Sequence, residues 1–148
     1  MKIRTLKIGE ERSWVECGFK GENLEDAIVR FIDENRKFIE DKPLCLLVAE
    51  SEGRFIGKLR GSFNSEGLYY IVNIEVGQNK DFNEIGKALI EYAIQNLPDI
   101  RIEAASWDKL EDQALESLYK SNGFHIYFEK AYYKKDIADY KSDYSDPF

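Results

Sequence analysis

The strongest constraint on the fold is a change of hydrophobic period within residues 71–105. Residues 71–76 are typical of a buried β-strand, and after a short polar loop the apolar residues of 85–97 recur at helical spacing. Pro98 ends this predicted helix, and residues 100–105 are predicted to form the next strand. Because a strand–helix–strand unit crosses over its sheet, its two strands are expected to be parallel.

The remaining hydrophobic pattern predicts antiparallel strands and two more helices. Further strands are predicted over residues 2–8, 44–49, 55–63, 68–76, 124–128 and 132–137. One helix is predicted to begin after the capping residue Asn23 and to end before Pro43. Another is predicted to begin at Asp108, with Glu111 in a capping-box position, and to end at Gly123. Together these elements predict a mixed α/β fold.

Composition excludes several classes of protein. The chain has 148 residues, 43% of them hydrophobic and 14% aromatic, which suits one domain with a packed core. A formal net charge of −7 leaves no basic surface for nucleic acid. No apolar segment reaches the roughly 18 residues of a membrane span, and the first residues do not resemble a secretory leader. We therefore expect no nucleic-acid or membrane partner.

Cysteine and histidine content argues against a metal site. Cys17 and Cys45 lack metal-ligand spacing, and Cys45 lies inside an apolar run. Both are predicted to be buried thiols in a reducing compartment, and the cytoplasm is the expected location. His125 is the only histidine and is predicted to be an ordinary strand residue. No metal is expected.

Two other sets of side chains are predicted to be structural. Lys58 and Arg60 alternate with apolar residues, which predicts a solvated face of the sheet. Tyrosines such as Tyr69, Tyr70 and Tyr133 are predicted to pack on the sheet, although an aromatic cage for an organic cation stays open.

Two segments carry a resemblance to a known family. Residues 76–89 place a strand ending in Val76 before a polar loop and a helix, and residues 114–124 read Ala-Leu-Glu-Ser-Leu-Tyr-Lys-Ser-Asn-Gly-Phe. The first segment resembles the acetyl-CoA motif of the GCN5-related N-acetyltransferase (GNAT) superfamily, in which Arg/Gln-x-x-Gly-x-Gly/Ala follows a valine-ending strand. The second resembles the "LYxxxGF" helix ending of the same superfamily.

The resemblance covers residues 1–137, which are expected to form a single GNAT-like acetyltransferase domain. Residues 138–148 are expected to form an acidic, tyrosine-rich tail that is mobile or packed on a neighbour. The resemblance implies a mixed, mostly antiparallel central sheet of about six or seven strands flanked by about four helices. It also implies acetyl-CoA as co-substrate and an amine as acceptor. An exposed last strand leaves a homodimer open.

The resemblance also implies that backbone amides at the start of the helix after Val76 bind the CoA pyrophosphate. The residues it assigns to cofactor binding are Val76, Phe82, Asn83, Glu84, Ile85, Gly86 and Lys87. When the loop is aligned on Gly86, Asp81 stands in place of Arg/Gln and Glu84 in place of the first glycine. Carboxylates repel a phosphate, so the loop departs from the family pattern. Alternatively, the two acids simply stabilise the start of the helix.

Two residues are candidates for the chemistry. The resemblance implies that Tyr119 protonates the departing thiolate; alternatively, its ring packs on the sheet. Glu75 is a candidate base for the amine, and it could instead bind a cationic substrate, act through a water molecule or face solvent. Regular strand alternation places Glu75 on the same face as Tyr69 and Ile71.

Two functions from different classes follow. The leading hypothesis is an acetyl-CoA-dependent N-acetyltransferase that transfers an acetyl group to a primary amine, of a small molecule or a protein, by direct transfer in a ternary complex. The acidic chain favours a cationic acceptor. The alternative is a catalytically inactive GNAT-like binding or assembly module that has lost CoA binding, and Asp81 and Glu84 favour it. The sequence does not separate transfer of acetyl groups from transfer of longer acyl groups.

Overall fold

The computed structural model describes residues 1–63, 65, 67–97, 102–104, 113–127 and 130–133. In chain order the elements are β1 (Lys2–Thr5), α1 (Glu11–Glu16), α2 (Leu24–Asp41), β2 (Leu46–Ser51), β3 (Arg54–Phe63), β4 (Tyr69–Val76), α3 (Phe82–Asn96), β5 (Ile102–Ala104), α4 (Gln113–Ser121), β6 (His125–Tyr127) and β7 (Lys130–Tyr133). The predicted helix start at Asp108, the stop at Pro98 and the tail 138–148 lie outside the described residues.

All the described strands belong to one seven-stranded sheet in the order β1-β2-β3-β4-β5-β7-β6. The β4–β5 pair is parallel, and the other neighbouring pairs are antiparallel. The parallel pair confirms the crossover that the change of hydrophobic period predicted. The mixed, mostly antiparallel α/β sheet is likewise confirmed.

Helices cover both faces of the sheet. On the face of α1 and α2 the buried core residues are Leu6, Trp14, Val15, Ile28, Ile39, Cys45, Leu46 and Val48. On the face of α3 and α4 a second core forms around Leu47, Leu59, Tyr69, Ile71, Leu89 and Leu118. The start of α2 is confirmed, because the Asn23 side chain accepts the Asp26 backbone N–H at 3.1 Å. The short helix α1 was not predicted.

A β-bulge in β4 changes which side chains share a face. The register between β3 and β4 shifts at Val72, which has no partner residue on β3. Because one extra residue reverses the alternation, Ile74 packs in the same core as Tyr69 and Ile71. Glu75 therefore faces the opposite side, toward α1 and α2. The prediction that Glu75 shares a face with Tyr69 and Ile71 is wrong for this reason.

The predicted solvated face of β3 is also wrong. Lys58 is only 8% exposed, because α1 covers it, and its Nζ donates to the Trp14 carbonyl oxygen at 2.7 Å. Arg60 is half-buried under α2, where its guanidinium donates to the Asn35 side-chain oxygen and lies over the Phe38 ring. The charged side chains that alternate along β3 therefore contact helices. Local sequence does not show whether a charged strand residue faces a helix or solvent.

The described residues also bear on the expected thiols, metal ligands and membrane spans. Cys17 and Cys45 are free and buried, which confirms the predicted buried thiols. Within the described ranges, no group of histidine, cysteine, aspartate or glutamate side chains has the arrangement of a metal site. None of the helices described has both the length and the apolar character that a membrane span requires.

The packing of Gly61 gives a stability prediction. A Cβ at Gly61 would overlap the Tyr69 ring and hydroxyl, and that buried hydroxyl donates to the Leu44 carbonyl oxygen at 2.7 Å. Gly61→Ala is therefore expected to lower the free energy of unfolding by about 2–3 kcal/mol. Gly77→Ala is the control, because its Cβ would meet only ordinary contacts at 3.5 Å. Urea unfolding of both variants checks this, and equal stability would contradict the packing argument.

Candidate active site

The carboxyl end of β4 borders an open cleft. Within the described ranges β5 pairs only with residues 69–71 of β4, and the later residues 73–76 line the cleft. The cleft has a volume of about 480 Å³. Its lining residues are Gly18, Lys20, Asn73, Ile74, Glu75, Val76, Phe82, Ala114 and Leu115. An unpaired strand edge offers N–H and C=O groups to an extended ligand.

A second cavity of about 330 Å³ lies on the other side of β4, under α1 and α2. Its lining residues are Trp14, Val15, Gly18, Phe19, Lys20, Ala27, Arg30, Phe31, Glu34, Lys58 and Glu75. Three of them, Gly18, Lys20 and Glu75, also line the cleft at the end of β4. The two cavities therefore meet at these residues.

Glu75 lies at this junction with one oxygen already bonded. Its Oε1 accepts from Asn73 Nδ2 at 3.0 Å. Its Oε2 lies beside Gly18, where an added Cβ would be 3.4 Å from the oxygen, and Gly18 has a φ of +73°. A side chain at position 18 would be strained by this backbone conformation and would contact the carboxylate. The geometry leaves Glu75 able to accept a proton or bind an ammonium group in either cavity.

The start of α3 is capped by its own carboxylate. Asp81 is the N-cap residue, and its Oδ1 accepts the Glu84 backbone N–H at 3.1 Å. This cap starts the helix at Phe82, one turn before the predicted start at Ile85. The stabilising role proposed for Asp81 is thus present, and one amide that an anion would use is already bonded.

The other residues assigned to cofactor binding have different surroundings. Val76 and Phe82 line the cleft, whereas Asn83 and Glu84 are exposed in the first turn of α3. Ile85 and Gly86 are buried, and an added Cβ at Gly86 would meet the Leu118 side chain of α4. Lys87 is exposed, with its Nζ 3.9 Å from the Glu91 carboxylate. Gly86 therefore permits close packing of α3 on α4.

Tyr119 lies in the core below the cleft. It is 1% exposed, and its ring centroid is 5.1 Å from that of Phe124. Leu115, four residues earlier on α4, lines the cleft and shares a helix face with Tyr119. The packing role named as the alternative is therefore observed, and the hydroxyl's role in proton transfer stays a prediction.

Sequence reasoning missed most residues of the second cavity. Gly18, Lys20 and Lys58 come from the α1–α2 connection and from β3, which are far from the two motif segments. The local signal was weak: a glycine after α1 is a common helix ending, and Lys58 alternates with apolar residues as exposed lysines do. The unusual feature of Lys58 appears only in the folded protein: burial lowers its pKa, because the ammonium group is removed from water.

Comparison with solved structures shows the same fold. A GNAT-family acetyltransferase from Bacillus cereus is 17% identical with a TM-score of 0.64, covering 91% of this chain and 97% of that chain. A GNAT-family acetyltransferase from Brucella melitensis, in complex with acetyl-CoA, is 15% identical with a TM-score of 0.57, covering 91% and 88%. The diaminobutyrate acetyltransferase EctA from Paenibacillus lautus, with L-2,4-diaminobutyric acid and coenzyme A, is 12% identical with a TM-score of 0.60, covering 84% and 77%.

Sequence comparison gives the family. A search of curated proteins finds no significant match to this chain. A family model described as the acetyltransferase (GNAT) family matches residues 11–124, which include the cleft, both cavities' shared residues and the start of α3. The chain belongs to the GNAT family of acetyltransferases.

Proposed function

We propose that this protein is an acetyl-CoA-dependent N-acetyltransferase that transfers an acetyl group directly to a primary amine in a ternary complex. The observation that carries the proposal is the meeting of two cavities at Glu75, in a chain of the GNAT family. One cavity would take the thioester and the other the amine, so that both reactants reach the same carboxylate. The EctA complex with a diamino acid and coenzyme A supports a small amine as acceptor.

The cleft at the end of β4 suits the pantetheine arm of acetyl-CoA. Its wall includes residues 73–76 of β4, which have no described partner strand on this side, with Phe82 and Leu115 as apolar neighbours. An extended amide chain can bond to such an edge as an added strand does. Val76 is the residue at which this edge reaches the loop before α3.

The start of α3 suits the pyrophosphate less well. The Asp81 carboxylate holds the Glu84 amide, and Glu84 adds a second negative charge in the first turn. The exposed Lys87 is placed near Glu91 rather than free. We therefore expect acetyl-CoA to bind mainly through its pantetheine arm, with an affinity that these carboxylates weaken.

The role proposed for Glu75 is supported by its place between the two cavities, and the role proposed for Tyr119 rests on the resemblance of its helix to the family motif. Acetyl-CoA would supply the acetyl group as a thioester, so that the N–C bond forms, the C–S bond breaks, and the neutral amine loses one proton while the departing thiolate gains one. Glu75 accepts the proton that the ammonium group must lose, or binds that group before it reacts. Tyr119 returns a proton to the sulfur, since a phenol is protonated at neutral pH.

The test of this function is a calorimetric titration with acetyl-CoA at low salt, followed by a thiol-release assay with a panel of primary amines. Acetylated pantetheine, which lacks the phosphates, is the control ligand. Micromolar binding of acetyl-CoA with thiol release in the presence of an amine supports the transferase. Absence of binding at millimolar acetyl-CoA would overturn it.

The role of Tyr119 gives a separate prediction. Tyr119→Phe removes only the hydroxyl, so kcat is expected to fall about tenfold to a hundredfold while the Kd for acetyl-CoA changes less than about threefold. Unfolding measurements on the same variant control for the buried position. Unchanged kcat in a folded variant would assign Tyr119 to packing alone.

A second candidate is a binding or assembly module without CoA binding. The capping of Glu84 by Asp81 favours it, because the helix start is already occupied by a carboxylate. In that case neither acetyl-CoA nor acetylated pantetheine binds to the protein.

We also propose that the protein is located in the cytoplasm, which suits its two free thiols, and that it forms a homodimer.

A further inference from the structure

Lys58 is a buried cation with hydrogen-bond donors to spare. Its side chain lines the cavity under α1 and α2, where it is 8% exposed. Its Nζ donates to the Trp14 carbonyl oxygen at 2.7 Å and lies 5.4 Å from the centroid of the Trp14 ring. An ammonium group has three donors, so this single bond leaves two.

The hydrogen bond from Lys58 to the Trp14 carbonyl also stabilises the end of α1. The Trp14 carbonyl lies in the last turn of α1, where carbonyl groups lack partners within the helix, and a lysine is favourable there. That role needs one donor and does not neutralise the charge. Among the ion pairs of the described residues, Lys58 has no carboxylate partner. A buried ammonium that no carboxylate contacts is stabilised only by the more distant charge of Glu75, and a bound anion would add to this stabilisation.

Glu75 lies beside Lys58 on the same face of the sheet. The two residues are direct cross-strand partners on β3 and β4, a position that places Cβ atoms about 5 Å apart. Their charged groups do not form an ion pair with each other, although the structure describes both. The cavity therefore presents a cation and an anion next to each other, which complements a ligand that carries an ammonium and a carboxylate close together.

The remaining walls set the size and polarity of such a ligand. Trp14 and Phe31 stack with ring centroids 5.6 Å apart, and Phe19 adds a third aromatic wall. The volume of about 330 Å³ is at the lower end for small-molecule sites. The lining also includes the charged side chains of Lys20, Arg30 and Glu34. With Lys58 and Glu75 the cavity has three cations and two carboxylates, which together with its volume favours a carboxylate-bearing molecule of amino-acid size over a polyamine or a protein segment.

We propose that the cavity lined by Lys58 and Glu75 binds a small amino carboxylate, with Lys58 holding the carboxylate and Glu75 facing the amine. Naming this molecule as the acetyl acceptor rests on the proposed transferase function. Its binding does not, because the cavity and its charges exist without acetyl-CoA. The recognition of the carboxylate makes Lys58 a specificity-determining residue.

The test compares ligand binding with and without the carboxylate. The twenty common L-amino acids and their carboxamides are titrated against a Trp107→Phe variant, in which Trp14 is the remaining tryptophan and reports on its own cavity. The titrations are run with and without saturating coenzyme A. The variants are Lys58→Met, which keeps the length of the side chain, and Lys80→Met, an exposed control outside both cavities.

At least one amino acid is expected to bind about tenfold or more tightly than its amide. Lys58→Met should remove this preference by weakening the acid and not the amide, while Lys80→Met leaves it unchanged. A purely structural Lys58 would not alter the ratio of acid to amide. Equal binding of acids and amides by the parent protein would overturn the proposal, and this measurement does not depend on the folding of any Lys58 variant. Failure of every amino acid to bind would also overturn it.

Thiol release measured on the same panel, to which simple primary amines are added, separates this inference from the proposed function. Binding with a carboxylate preference but without any acetylation would overturn the transferase and support the amino-carboxylate site. Acetylation of amides and simple amines as fast as of amino acids would support the transferase and overturn the role of Lys58.

Discussion

Replacing Glu75 by glutamine is expected to lower kcat for acetyl transfer about a hundredfold or more, with a smaller change in KM for the amine. Glutamine has the shape of glutamate and can still accept the Asn73 Nδ2 hydrogen bond, which is 3.0 Å long in the parent. Its amide, however, cannot take a proton from an ammonium group. The junction of the two cavities would thus keep its shape and lose its base.

Steady-state kinetics at saturating acetyl-CoA check this expectation. Glu40→Gln is the matched control, because it removes one carboxylate from an exposed position on α2 that lines neither cavity. A rise in KM with unchanged kcat would show that Glu75 binds the ammonium group and does not act as base. Unchanged values of both constants would exclude Glu75 from the mechanism.

Replacing Asp81 by asparagine is expected to strengthen acetyl-CoA binding by about thirtyfold at low salt. Asparagine caps a helix as well as aspartate does, so the bond to the Glu84 amide is kept and the charge alone is removed. For a carboxylate about 7 Å from one phosphate charge and an effective dielectric constant of about 20, the repulsion is roughly 2 kcal/mol. Salt should reduce the gain, since the position is exposed.

Calorimetry of the parent, Asp81→Asn and the Glu40→Gln control measures this effect. Acetylated pantetheine should bind equally to all three proteins, because it lacks the phosphates. A gain that is the same for this ligand would contradict the electrostatic explanation. If acetyl-CoA binding is undetectable in Asp81→Asn and in the double variant Asp81→Asn/Glu84→Gln, the loop has lost its function for reasons other than charge, as in the binding-module alternative.

Local sequence predicted the fold well where the hydrophobic period was clear. The crossover between β4 and β5, the cap at Asn23 and the antiparallel strands β2 to β4 are confirmed. Boundaries were less accurate: β1 ends at Thr5, and α3 begins one turn early because a single capping side chain decides the first residue. The helix α1 was missed because its six residues are too few for a clear period.

The candidate site was predicted in part. Val76 and Phe82 were named from the motif and line the cleft, and Glu75 was named from its place at the end of a strand. The cavity with Lys58 was not predicted, because it joins β3, β4 and the connection between α1 and α2. Residues so far apart in the chain leave no common pattern in a single sequence.

The sequence by itself determined the order of the strands and of the longer helices, the parallel crossover and the family, because these depend on periodicity and on short motifs that neighbouring residues define. Only the tertiary structure decided that Glu75 faces α1 and α2, since one unpaired residue at Val72 reverses the alternation of β4. It also decided that Lys58 is buried, because a helix from another part of the chain covers it. Whether a charged side chain lines a cavity depends on how distant elements pack together. Local sequence does not show which surfaces pack against each other.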